Sequence, residues 1–337
     1  MSEKKLASRN AVITLGIICV ILAVGLVGSV VNLEYQIQTL KIQTESDISI
    51  LQTWLNGNIT SLNSQIASLN STIATLNSKI ASLNYRISVL TDPETGNAIN
   101  YIANFMFVPS VGLCRESPNY ASNTIWLTND NLEAYAILSK LGHPRAVTIK
   151  QNLDKYGISG NGLNEVLLNR TIAPIRTGNY YIVDTIGQYT IKKDVRDGVI
   201  MADFAEYADL CFYWSKNLLL KGDVANATKY YNKGMAMWNG TGFLDKVFYD
   251  EGSHKMETYK IGLALWMGRT LNVTLNGQVK IPDYHKMEDI IWSVQNSTNG
   301  GIYTHYVYSN GSYLPVSGSD TNVETTAICL LYKLIGV

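Results

Sequence analysis

The chain has 337 residues, of which 46% are hydrophobic and only 16% are charged, against roughly 25% charged residues in an average soluble domain. Its 27 basic and 27 acidic side chains cancel, and the sequence has no basic stripe of the kind that binds nucleic acid. The high hydrophobic content also excludes disorder of the whole chain. We therefore expect a folded protein without a nucleic-acid partner.

Residues 11–31 form an uncharged apolar run. At about 1.5 Å per residue, a helix of this length crosses one hydrocarbon core. The run therefore predicts a retained transmembrane helix; a cleaved signal peptide and a prepilin-type signal are the alternatives.

The positive charges before the run are Lys4, Lys5 and Arg9, whereas the first charge after it is acidic. The positive-inside rule predicts a cytoplasmic tail at residues 1–10 and an extracellular position for the rest. Eight N-x-[S/T] sequons beyond the run fit a cell-surface glycoprotein.

Residues 33–91 carry a repeated apolar pattern. A ladder with alternating steps of four and three residues runs from Leu55 to Leu90, with Ile at the a positions and Leu at the d positions. This seven-residue period predicts a left-handed coiled coil. Few charges flank the ladder, so burial of its seam must supply the stability. The pattern therefore predicts self-association as a dimer or a trimer; a helix that lies along its own C-terminal domain is the alternative.

Pro93, Gly96 and Asn97 follow the ladder and predict a linker at residues 92–97. In the remaining domain, residues 98–337, apolar periodicity predicts pairs of helices. The predicted helices cover residues 126–141, 144–156, 199–220, 223–238, 257–270, 283–296 and 322–335. A short β-hairpin is predicted at residues 180–191, and five acidic residues between 194 and 209 predict the exposed face of one helix. The expected fold is mainly α, an α/α toroid or partial toroid with a small β-hairpin.

Two C-terminal segments carry a resemblance to known proteins. SVQNSTNGGIYTHY (residues 293–306) and SDTNVETTAICLLYKL (residues 319–334) resemble the repeat of terpenoid-cyclase and prenyltransferase-like toroids, in which a Gly-Gly-aromatic loop joins two helices. WLTNDNLEAYAILSKLG (residues 126–142) and METYKIGLALWMG (residues 256–268) resemble segments of archaeal membrane-anchored surface proteins and six-hairpin glycosidases. The resemblance implies a toroid head in which ligands meet loops and inner-helix starts on one rim.

Carboxylates on such a rim could act on glycosidic bonds, one donating a proton while the other attacks or activates water. The candidate catalytic residues are Asp130, Asp320, His305 and Asp250, and the candidate ligand-binding residues are Trp126, Tyr303, Tyr306 and Glu324. Asp130 and Asp320 are the preferred pair, because the first and the last helix are neighbours when a ring closes. The alternative role for both is to cap a helix. The segment D-E-x-x-H that begins at Asp250 is not the H-E-x-x-H zinc motif, so no metal or cofactor is predicted.

The sequence predicts a single-pass membrane protein that presents this head on an oligomeric stalk. Two functions remain open. The head binds or processes extracellular glycans, with a glycoside hydrolase or lyase-like activity as the enzymatic form of this hypothesis, or it is a non-catalytic structural or adhesive surface protein. The expected partners are the membrane, further copies of the chain, and polysaccharide or surface glycans.

Overall fold

The structure, a computed structural model, describes residues 3–250, 252 and 254–335. The protein is mainly helical, with 60% helix and three small sheets. It has two compact units, which meet in sequence between Lys79 and Ile80. The helices are α1 (Glu3–Thr91), α2 (Pro93–Asn100), α3 (Leu132–Lys140), α4 (Arg145–Lys155), α5 (Ala208–Leu220), α6 (Val224–Met235), α7 (Lys246–Asp250), α8 (Thr258–Thr274), α9 (Tyr284–Ser293) and α10 (Val323–Leu330). The strands are β1 (Phe107–Val108), β2 (Leu113–Cys114), β3 (Thr124–Trp126), β4 (Asn179–Ile186), β5 (Tyr189–Val195), β6 (Met256–Glu257), β7 (His305–Ser309) and β8 (Ser312–Pro315).

Helix α1 contains the apolar run and is a candidate single membrane span, since it is long and apolar enough to cross a membrane. It ends at Thr91, as the sequence predicts. From Leu55 to Ile87, the ladder side chains are 47–62% exposed; the side chain of Leu90 lies outside the described residues. Large aliphatic side chains therefore face solvent along one face of α1.

The predicted linker at residues 92–97 is wrong, because residues 93–100 form helix α2. Pro93 occupies the first helical turn, where its missing N–H removes no hydrogen bond. Thr95 and Ala98 are fully buried, and the side chain of Gln295 donates to the carbonyl of Glu94 at 2.8 Å. Contacts with the folded domain therefore stabilise a helix in a segment whose composition favours a turn.

Seven helices of the second unit make its main packing contacts. Helix α3 packs on α4, α5 on α6, and α8 on α9, while α10 packs on α8 and α3, and α8 also packs on α5. The approach of α8 to α10 depends on Gly262, where a Cβ atom would stand 2.9 Å from the Cα of Cys329. The consecutive pairs match the predicted ones, and contacts of α8 and α10 connect the pairs to one another.

Two predicted helices begin later than expected, because strands and irregular backbone occupy their first residues. Trp126 ends strand β3 and a π-helical turn at Leu127–Asn131 precedes α3, while α5 begins at Ala208 rather than at residue 199. The predicted hairpin is confirmed as β4 and β5, and β3 adds to it in parallel. A second three-stranded sheet, β6-β7-β8, was not predicted. The five acidic residues do not share a helix, since Asp194 lies in β5 and Asp209 in α5.

Lys260 is 1% exposed and lies among carboxylates. Its Nζ is 2.6 Å from Asp245 Oδ2, and it also contacts the carboxylate of Glu257. Desolvation lowers the pKa of a buried ammonium, but the carboxylates of Asp209, Glu257 and Asp245 outweigh it and raise the pKa of Lys260. The buried ion pair of Lys260 and Asp245 joins α8 to the segment before α7.

We expect Lys260→Ala to destabilise the protein by about 3–5 kcal/mol, because it leaves buried carboxylates without a counter-charge. Denaturant unfolding of the full chain, followed by tryptophan fluorescence, measures the change. The control is Lys150→Ala, which removes the exposed pair with Asp154 and should change stability by less than about 1 kcal/mol. If the two variants unfold at the same denaturant concentration, Lys260 does not stabilise the protein by compensating buried carboxylates.

Candidate functional site

The second unit has a surface pocket of about 430 Å³ whose lining is mostly polar. The lining residues are Glu116, Ser117, Tyr120, Lys255, Thr304, His305, Val316, Ser317, Gly318, Ser319, Asp320 and Asn322. They come from the segment after β2, from the residue before β6, from the start of β7 and from the connection between β8 and α10. We call this cavity the outer pocket. It contains two predicted site residues, His305 and Asp320.

Asp320 forms one wall of the outer pocket and fastens two loops together. The backbone N–H groups of Asn119 and Tyr120 donate to its Oδ2 at 2.8 and 2.9 Å. The side chain of Asn119 and the backbone N–H of Thr321 donate to Oδ1 at 3.3 and 3.0 Å. It does not cap α10, because Asn322 accepts the N–H of Thr325 at 2.8 Å. Asp320 is therefore a positioning residue whose lone pairs are largely occupied by the protein.

Glu116 lies in the outer pocket and was not singled out by the sequence, since no motif surrounds it. Its Oε2 accepts the indole N–H of Trp126 at 2.8 Å, and its backbone carbonyl accepts the N–H of Val323 at 3.1 Å. Burial raises the pKa of the Glu116 carboxyl, while the Trp126 hydrogen bond and Lys192 lower it. Glu116 thus connects the pocket to Trp126 on one side and to α10 on the other.

A smaller and more enclosed cavity of about 70 Å³ lies where four helices begin. Its lining residues are Asn129, Asn161, Leu163, Asn164, Arg196, Asp209, Tyr213, Tyr259 and Glu324. Asn129 precedes α3, whereas Asp209, Tyr259 and Glu324 lie in the first turns of α5, α8 and α10. We call this the inner cavity. Its volume is enough for a few water molecules.

The carboxyl groups around the inner cavity hold protons more tightly than in water. Burial, followed by Glu116 and Asp194, raises the pKa of Glu324 to about 7, although Arg196 lowers it. Burial, Glu116 and Glu324 raise the pKa of Asp130, and burial, Glu324 and Asp130 raise the pKa of Glu133. One oxygen of Asp130 and both of Glu133 are buried without a hydrogen-bond partner. The surroundings of these acids therefore favour the protonated form more than water does.

The preferred catalytic pair, Asp130 and Asp320, does not share a pocket. Asp130 is 1% exposed, and the backbone N–H of Glu324 lies beside its carboxylate. It lines neither the outer pocket nor the inner cavity. The prediction of a joint site is therefore wrong, because Asp130 is enclosed in the core beside the start of α10.

The other predicted residues lie in different environments. Tyr306 is fully buried and its hydroxyl donates to the carbonyl of Thr241 at 2.7 Å, so its ring belongs to the core and not to a binding surface. The hydroxyl of Tyr303 accepts the side-chain N–H of Asn296 at 2.9 Å. Asp250 is exposed in a separate open depression beside Lys246 and Tyr249. Glu251 and Ser253 lie outside the described residues.

Among the residues that the structure describes, no group of three or more His, Cys, Asp or Glu side chains could hold a metal ion. No protein family matches the sequence, and neither a curated protein nor a solved structure is similar to the chain.

We expect the stability of the protein to fall between about pH 5 and pH 8. A carboxyl whose folded pKa is raised contributes fully below its unfolded pKa, and that contribution is lost as the pH rises through the folded value. For Glu324 this window runs from the ordinary 4.5 to about 7, with Asp130 and Glu133 acting in the same direction. The loss should be on the order of 2 kcal/mol.

Thermal unfolding midpoints of the full chain across this pH range measure the effect. Glu324→Gln, which cannot ionise, should flatten the pH dependence, whereas Asp154→Asn on the exposed face of α4 should leave it unchanged. A wild-type midpoint that rises steadily from pH 5 to pH 8 would exclude the raised pKa values.

Proposed function

We propose that this protein is a membrane-anchored surface protein whose head binds glycans and whose stalk holds several copies together. The observation that carries the proposal is the outer pocket, a polar cavity of about 430 Å³ on the head. The volume lies in the range of small-molecule sites, which is roughly 300–1,000 Å³.

The chemistry of the outer pocket favours a ligand with many hydroxyl groups. Glu116 offers a carboxylate oxygen, Lys255 carries an ammonium group, and several serine and threonine hydroxyls both donate and accept. A sugar ring presents donors and acceptors in the same mixture. Because four protein groups already donate to Asp320, the pocket supports binding better than hydrolysis.

The arrangement of the head is compatible with an α/α toroid. Helices α3, α5, α8 and α10 begin around one cavity, while α4, α6 and α9 each pack on the helix that precedes them. In this interpretation the first four are inner helices and the latter three are outer helices. The outer pocket then lies on the rim at which the inner helices begin.

Helix α1 supports the proposed membrane anchor and the proposed stalk. Its apolar run has the length of a membrane span, and the basic residues before it favour a cytoplasmic N-terminus with the head outside. The ladder from Leu55 to Ile87 is exposed in a single chain, and a continuous apolar face of this kind indicates a contact surface. Ile at a and Leu at d favour a parallel coiled coil of two or more copies.

We expect Ser317→Trp to abolish glycan binding, because the indole would fill the outer pocket from its exposed edge. Isothermal titration of the full chain in nanodiscs, with a panel of cello-, manno-, xylo- and chito-oligosaccharides, measures the affinity. Ser312→Trp, on an exposed position of β8 outside the pocket lining, is the matched control. Undiminished binding by Ser317→Trp would place the ligand elsewhere.

We expect the double variant Ile73→Asn and Ile80→Asn to dissociate the oligomer. Each unpaired amide in the apolar seam should cost on the order of 1–3 kcal/mol. Sedimentation of the full chain in detergent reports the mass. The control places the same amide on the outer face of the helix, as Ser64→Asn with Ser78→Asn. A wild-type chain that sediments as a monomer at all concentrations would refute the stalk.

A further inference from the structure

One face of the sheet β3-β5-β4 carries an aromatic pair, in which Tyr180 is exposed and Trp126 is half-buried. Trp126 of β3 and Ile182 of β4 both pair in register with Lys192 of β5, and since side chains alternate along a strand, Tyr180 lies on the same face as Ile182. The rings of Trp126 and Tyr180 are 6.0 Å apart and nearly perpendicular. The ammonium group of Lys192 lies 5.2 Å from the Trp126 ring and 6.0 Å from the Tyr180 ring. We call Trp126, Tyr180 and Lys192 the sheet-face site.

The sheet-face site adjoins the outer pocket through Glu116. The indole N–H of Trp126 donates to Glu116 Oε2 at 2.8 Å, and Glu116 lines the pocket. Lys192 lies near enough to lower the pKa of the Glu116 carboxyl. Tyr180 and Ile182 are 69% and 66% exposed. Their side chains therefore form an apolar surface next to the polar outer pocket.

We propose that the sheet-face site is a second sugar subsite, on which the ring of Tyr180 stacks against the sugar next to the one in the outer pocket. The proposal rests on the proposed glycan-binding function and extends it to a ligand of two or more rings. The carbon-bound hydrogens of a pyranose ring form an apolar face that packs on an aromatic ring, while Lys192 supplies donors to hydroxyl groups at its edge. Because the pocket and the sheet face share Glu116, together they suit an oligosaccharide and not an isolated monosaccharide.

The charges of the two subsites select the class of glycan. The two subsites together hold two carboxylates, Glu116 and Asp320, and two ammonium groups, Lys255 and Lys192, so they carry no excess of either sign. A binding surface for a uronic-acid polymer would need surplus positive charge. The ligand we infer is a neutral oligosaccharide.

The opposite face of the same strands offers a matched control. Tyr181 pairs in register with Lys193, and the Lys193 ammonium lies 5.8 Å from the Tyr181 ring. The hydroxyl of Tyr181 donates to Asp197 at 2.8 Å. Tyr181 is 43% exposed, so it is the same residue type beside the same kind of cation, but on the face away from Trp126.

The test is isothermal titration of the full chain in nanodiscs with cello-, manno-, xylo- and chito-oligosaccharides from monosaccharide to hexasaccharide. We expect affinity to increase from the monosaccharide to the disaccharide. Tyr180→Ala should weaken oligosaccharide binding by roughly three- to tenfold, the size expected for one aromatic contact, and leave monosaccharide binding unchanged. Tyr180→Phe should bind as the wild type does, and so should Tyr181→Ala. Melting midpoints verify that each variant is folded.

The other possible results distinguish failure of the proposed function from failure of the subsite alone. If the wild type binds no saccharide of the panel, both the proposed function and the subsite are refuted. If the wild type binds but Tyr180→Ala binds equally well, or Tyr181→Ala loses as much affinity, only the subsite is refuted. If oligogalacturonate binds more tightly than every neutral oligosaccharide, the inference that the ligand is neutral is refuted.

Discussion

The attachment of the start of helix α10 is the interaction on which the rest of the head depends. The first N–H groups of a helix have no partner within it. Here the carbonyl of Glu116 accepts the N–H of Val323, and the N–H of Glu324 lies beside the buried carboxylate of Asp130, whose pKa it lowers against the effect of burial. Asn322 caps the next one. Residues remote in sequence are thereby fixed around one helix end, and the outer pocket and the inner cavity lie on either side of it.

Several carboxylates lie near this attachment, at helix starts where they are largely removed from bulk water. Glu133, Asp209 and Glu324 lie in the first turns of α3, α5 and α10, where the helix dipole favours a negative charge. Desolvation opposes ionisation and raises the pKa of each of them. Lys260 compensates part of the charge from α8. Buried charges and their partial compensation are therefore concentrated where α3, α5, α8 and α10 begin.

Sequence patterns were informative where the structure depends on neighbours along the chain. The hairpin around Gly187, the helix pairs and the end of α1 at Thr91 could all be predicted, because turns, apolar periods and proline act within a few residues. The acidic residues were misjudged. Asp209 and Asp130 are polar in sequence but lie inside the protein, since each is surrounded by helices from distant parts of the chain. Tyr306 likewise entered the core because a strand pairing placed it there.

The sequence by itself determined that the chain carries an apolar span, a heptad ladder and a mainly helical C-terminal region, because these depend on composition and local period. Only the tertiary structure decided which polar residues meet. Residues 93–97 became a helix through contacts with the loop after α9, and Glu116, which no motif marks, came to lie between the outer pocket and Trp126. The physical reason is that a pocket is made of side chains separated by about two hundred residues, as Tyr120 and Asp320 are. Periodicity describes each helix and strand, but the free energy of burying them together selects their neighbours.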